Sequence, residues 1–162
     1  GTEKRASGEP FYLHPLAVAR IVLEYNQDEA TLLGALLHDT VEDTPMLLGN
    51  IETIFGKEVA GVVDGVTHLE SNKETFYKVN LSTHENLLML LEEEDPRVLY
   101  VKLADRMHNM RTIQTKPHKS QRKTAEETLQ FFVPLASQLR LRVAAEELQE
   151  RCFSILSNLQ IQ

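Results

Sequence analysis

Cysteine is almost absent from this 162-residue chain, where Cys152 stands alone. An internal disulfide is thereby excluded, and a reducing compartment, the cytoplasm, is the expected setting. Set among apolar residues, Cys152 reads as a small buried hydrophobe. Seven glycines and six prolines are too few for a linker or a low-complexity chain. No uninterrupted apolar run approaches the roughly 20 residues that span a bilayer. The first fourteen residues are polar or turn-forming and do not resemble a signal peptide. Positive charge is also scarce: 17 Lys and Arg face 24 Asp and Glu, a net charge of -7. That balance argues against a general nucleic-acid binder, whose surface is normally basic. It still admits a phosphorylated small molecule, provided a metal and a few local cations supply the field.

What is present is helical periodicity in a chain that is 42% hydrophobic and 25% charged. After Pro15, a first-turn proline, Leu16, Val18, Ala19, Ile21, Val22 and Tyr25 form a helical stripe. Asp28 is placed to cap a segment whose Ala30, Leu32, Leu33, Leu36 and Leu37 lead into His38 and Asp39. Thr44-Pro45 opens a helix through Ile51 and Phe55 that stops at Gly56. Val59, Val62, Val63 and Val66 suit a short helix, and less well a strand. Periodicity lapses from Glu70 to Leu81, predicting a loop. Ser82 and Glu85 have the spacing of a capping box, and Asp95-Pro96 restarts the chain before Val98, Leu99, Leu103, Met107 and Met110. A polar, basic interval spans Lys116 to Lys123. Helical segments follow from about Thr124 to Leu139, with Pro134 a kink or break, and from about Val143 to Leu159. With no repeat and no boundary, the expectation is one all-α domain over residues 1–162.

Chemistry concentrates in L-L-H-D-T-V-E-D-T. His38 and Asp39 leave a helix about 100° apart and can converge on one ion. Glu42 and Asp43 lie one turn further on the same faces. Such a cluster beside leucines is electrostatically costly without a cation. A lone His-Asp pair is more often an ordinary helix end, so the cluster needs partners from elsewhere. His14, in F-Y-L-H-P, and Asp105, in V-K-L-A-D-R-M-H-N-M-R-T, are available. Taken singly, the first reads as a capping-region histidine and the second as half of a surface Asp–Arg pair.

Together, R-A-S-G-E-P-F-Y-L-H-P, L-L-H-D-T-V-E-D-T and K-L-A-D-R-M-H-N-M-R-T resemble the hydrolase domain of the RelA/SpoT family of alarmone enzymes, as does F-G-K-E-V-A-G-V-V-D-G-V-T-H-L. The likeness runs from Arg5 to about Leu148. It implies an HD-type fold and removal of the 3′-pyrophosphate of ppGpp or pppGpp, giving GDP or GTP. It further implies one Mn²⁺ held by His14, His38, Asp39 and Asp105, with Glu42 and Asp43 assisting the hydrolytic water. Mixed imidazole and carboxylate ligation suits that ion. Arg5 matches an arginine that packs on guanine, and Asn109 and Thr112 match positions lining the nucleotide pocket. Arg106, His108 and Arg111 would add positive charge, although both arginines also read as plain helix-surface cations. No nucleic-acid or membrane partner is expected.

The chain departs from the family at Ala6, His68, Leu88 and Met89, each where relatives carry a basic residue. It begins inside the family's H-x-G-Q-x-R run, so the upstream family helix is expected to be missing and further domains of a longer chain are possible. Nothing resembles the family's synthetase domain. Two rival readings are an HD phosphohydrolase acting on another nucleotide and a weakly catalytic nucleotide-sensing module. R-x-S-G-E-P and H-N-M-R-T disfavour the former, and the intact His38-Asp39 pair disfavours the latter.

Overall fold

The computed structural model describes residues 13–38, 48–71 and 82–161, and every regular element among them is helical. The helices fall into two compact units that divide within one unbroken helix: His14–Ala104, and Asp105 onward.

In the first unit, α1 (Leu13–Tyr25) takes Pro15 in its first turn, where the missing N–H costs nothing. Its buried face is His14, Val18, Ala19, Ile21 and Val22. α2 (Glu29–Leu37) starts at Asp28, whose carboxylate accepts from the Thr31 N–H at 3.2 Å and the Thr31 hydroxyl at 3.1 Å. α3 (Leu48–Phe55) ends at Gly56, whose φ of +96° lies in the left-handed region that favours glycine. α4 (Lys57–Ser71) follows at once. Val59, Val62, Val63 and Val66 are all buried on it, which settles the helix-or-strand ambiguity in favour of helix. The helix is longer than its valines suggest and takes in Glu70 and Ser71 of the expected loop. The Thr44-Pro45 start and the remainder of the expected loop fall outside the described residues.

Ala30, Ile51, Val59, Ala60 and Val63 form a shared core of α2, α3 and α4, with Leu33, Leu37 and Leu48 packed against it. Burying each Val, Leu or Ile stabilises by about 1.5–3 kcal/mol. Gly34 lets α2 approach α4 closely, since a Cβ there would collide with the Val62 side chain. That contact sits one turn before His38 and fixes the height at which α2 ends.

α5 (Thr83–Glu93) has the expected capping box: Glu85 N–H donates to Ser82 Oγ at 3.2 Å and Ser82 N–H to Glu85 Oε2 at 2.7 Å. α6 (Pro96–Arg111) buries Val98, Leu99, Val101, Leu103, Ala104, Met107 and Met110, too many positions for one stripe. It is an interior helix.

The second unit corrects one expectation and refines another. The polar interval Lys116–Lys123 is mostly helix, because α7 runs His118–Glu127. The long segment to Leu139 is broken just before Pro134, as a kink or break there implied, but through a π-turn. That turn covers Thr128–Phe132, and the chain resumes as α8 (Val133–Gln138), with Pro134 in the first turn of that helix. α8 closes in a Schellman arrangement: Leu141 N–H donates to Ala136 O and Arg140 N–H to Ser137 O. Arg140 takes the left-handed position, φ 62°, usually given to glycine. α9 (Arg142–Ile161) buries Ala144, Ala145, Leu148, Cys152 and Ile155 at helical spacing. Burial pushes the Cys152 thiol up to about 11.

Arg111, at the end of α6, grips Glu147 of α9 through two bonds of 2.7 Å, and Arg151 adds one of 2.8 Å. The two guanidiniums, Arg111 first, hold the Glu147 carboxyl at about 2, below its ordinary 4.5. A carboxyl depressed by folding stabilises the fold above its unfolded value, and that stabilisation drains away as pH falls from about 4.5 to 2. With 28% of the Glu147 side chain exposed, solvent screening trims the effect. Glu147→Gln is expected to cost about 1–2 kcal/mol at neutral pH, a few degrees of Tm, with the gap closing in acid. Parallel thermal melts across that window check this, and a gap independent of pH would refute it.

Candidate metal centre

The first unit brings two histidines together in its interior. His14 is the second residue of α1, 6% exposed, and continues the helix's buried face one turn before Val18. His38 caps the C-terminal end of α2 and is 0% exposed. It extends the buried line of Thr31, Gly34 and Ala35, so the packing that seats α2 also carries this imidazole inside. The rings meet edge to face, centroids 6.2 Å apart at 65°. Each offers a ligand nitrogen within 4.8 Å of the other's.

His38 Nδ1 stands 2.6 Å from the Ala35 carbonyl oxygen. A carbonyl only accepts, so Nδ1 carries the proton and donates. In the neutral ring the lone pair then sits on Nε2. A backbone carbonyl fixing the tautomer and ring direction from behind is how ligating histidines are usually held. Sequence reasoning passed over Ala35, yet a carbonyl three residues before a helix-end histidine is legible once the helix is assigned.

In the second unit, Asp105 and Asn109 occupy one face of α6, and Asn109 Nδ2 donates to Asp105 Oδ2 at 3.3 Å. Thr112 follows the helix, with its hydroxyl donating to the His108 carbonyl at 3.1 Å. His108 is buried. The neighbouring arginines are not loose surface cations, since Arg106 pairs with Glu127 at 2.6 Å and Arg111 with Glu147. Their charge is largely answered by those carboxylates. Four expected site residues, Arg5, Asp39, Glu42 and Asp43, lie outside the described residues.

No helix among the described residues is long and apolar enough to cross a membrane. The HD domain family matches residues 2–141. The GTP pyrophosphokinase rsh of Brucella ovis is 41% identical over 157 residues, covering 97% of this chain and 21% of its own length. The bifunctional (p)ppGpp synthase/hydrolase SpoT of Escherichia coli is 41% identical over 154 residues, covering 95% of this chain and 22% of its own. The chain thus spans about a fifth of these curated relatives. Among solved structures, one described as a metazoan ortholog of SpoT that hydrolyses ppGpp superposes with a TM-score of 0.59 at 25% identity, over 97% of this chain and 86% of that one. On this family match and these identities, the chain belongs to the HD domain family, in its RelA/SpoT branch.

Proposed function

We propose that the chain is a guanosine-3′,5′-bis(diphosphate) 3′-pyrophosphohydrolase, releasing pyrophosphate from ppGpp or pppGpp to leave GDP or GTP. The observation that carries this reading is the buried His14–His38 pair with its Nδ1 locked on Ala35, in a chain of the RelA/SpoT branch.

The donor set fits a divalent cation. Two imidazoles and two carboxylates, from His14, His38, Asp39 and Asp105, would balance a +2 charge and suit manganese. Once bound, such an ion supplies a Lewis acid beside the diphosphate and eases deprotonation of water. The chain's own residues do the rest. Glu42 and Asp43 accept the proton of the attacking water, and the Asn109 amide steadies the Asp105 carboxylate from behind. Arg5 stacks on the guanine, while Asn109 and Thr112 line the nucleoside pocket. A guanidinium over a purine contributes about 0.5–2 kcal/mol but selects base type only weakly. Discrimination rests instead on hydrogen bonds, where an unpaired buried polar group costs about 1–3 kcal/mol.

Substrate choice tests the reading. Given Mn²⁺, the protein is expected to release pyrophosphate from ppGpp and to leave GTP intact, because GTP has no 3′-diphosphate. Product analysis on both nucleotides decides. Equal consumption of GTP would reject the substrate assignment, and no turnover of either would favour a nucleotide-sensing module.

A further inference from the structure

Arg106 follows Asp105 directly and precedes Asn109 by three residues, in the densest polar stretch of α6. Three groups of the π-turn region hold it. Nη2 donates to Glu127 Oε1 at 2.6 Å, Nη1 donates to Thr128 Oγ1 at 3.3 Å, and Cζ lies 4.2 Å from the centroid of the Phe132 ring. The Thr128 hydroxyl spends its own proton on the Thr124 carbonyl at 2.7 Å, which leaves its oxygen to accept. Phe132 is itself fixed edge to face against Phe131 at 5.4 Å, and both rings are buried. With 16% of its side chain exposed, Arg106 has its planar fork filled on one edge and its face covered.

We propose that Arg106 is a positioning residue: its clamp on Glu127, Thr128 and Phe132 sets the rotation of α6, and with it the direction in which Asp105 and Asn109 leave the helix. The inference rests on the proposed metal-dependent hydrolysis and adds a determinant to it. Successive residues leave a helix about 100° apart, so fixing the azimuth of one fixes that of the next. A carboxylate about 6 Å from the axis moves by about 2 Å when the helix turns by about 20°. Sites of this kind tolerate about 0.5 Å, and about 1 Å of misplacement can cost on the order of a hundredfold. A brace at the adjacent residue is therefore worth more than its contact energy.

Arg106→Ala, Arg106→Lys, Glu127→Gln and the Arg106→Ala/Glu127→Gln double variant are compared with the parent protein. The readouts are kcat and KM for ppGpp, and Mn²⁺ affinity by electron paramagnetic resonance without nucleotide. Arg106→Ala is expected to lower kcat by about 10–100-fold and to weaken Mn²⁺ binding about tenfold, with KM nearly unchanged. Arg106→Lys should restore part of both, Glu127→Gln should show a smaller loss of the same kind, and the double variant should be no worse than Arg106→Ala. A raised KM with unchanged kcat would make Arg106 a substrate contact and overturn the proposal. A lower Tm with unchanged kcat and Mn²⁺ affinity would reduce it to a brace of the fold. If Arg106→Ala does not fold, Arg106→Lys and Glu127→Gln decide by the same criteria. A parent protein that neither binds Mn²⁺ nor cleaves ppGpp would defeat the underlying reading itself, a result distinct from all of these.

Discussion

His38→Ala is expected to bring ppGpp hydrolysis down to the background of the assay. The substitution removes one proposed ligand and leaves the His14 imidazole facing a cavity. Metal-assisted stabilisation of the transition state is worth several kcal/mol, so the loss should exceed about a thousandfold. Mn²⁺ binding should fall in parallel, which separates this outcome from a defect in nucleotide recognition. Because His38 is fully buried, circular dichroism and Tm must show that the variant folds. A folded His38→Ala protein that turns over within tenfold of the parent would remove His38 from the site. Chelation of the parent protein should mimic the substitution and be reversed by added Mn²⁺.

Glu42→Gln and Asp43→Asn should separate binding from chemistry. Each amide keeps the shape of the side chain while removing its basicity, so Mn²⁺ affinity should persist as turnover drops by about 10²–10⁴-fold. Rapid-quench turnover and metal titration on the same preparations provide the check. Near-normal rates in both variants would return these residues to the role of solvated charges after α2. The contrast with His38→Ala, which loses metal and turnover together, is the more informative measurement.

Much of the helical plan was legible because its signals are local. Asp28 and the Ser82–Glu85 box cap helices as their spacing predicts, and Gly56 ends α3 where a left-handed residue is required. His38 was legible because it ends an apolar helix, whereas His14 stood only at a helix entrance in F-Y-L-H-P and joined the site through the family motifs. The start of α7 was missed for an equally local reason. Its buried line is Gln121, Ala125 and then Thr128, polar or small residues that give no hydrophobic period. The π-turn has only Pro134, directly after it, as its mark in the sequence. The partners of Arg106 and Arg111 stand 21 and 36 residues away, so these arginines looked like surface cations until the helices were packed. The division of the chain within α6 is hidden similarly, since the helix runs through it without a break.

The solitary thiol of Cys152 gives the second unit a built-in gauge of its own breathing. A buried sulfhydryl that ionises near 11 is a poor nucleophile at neutral pH, so an alkylating reagent must wait for α9 to part from its neighbours. With no other cysteine in the 162 residues to compete, the labelling rate of the unmodified protein would report that opening directly. Whatever tightens α9, including the grip of Arg111 on Glu147, should register as slower chemistry at a sulfur five residues further along the same helix.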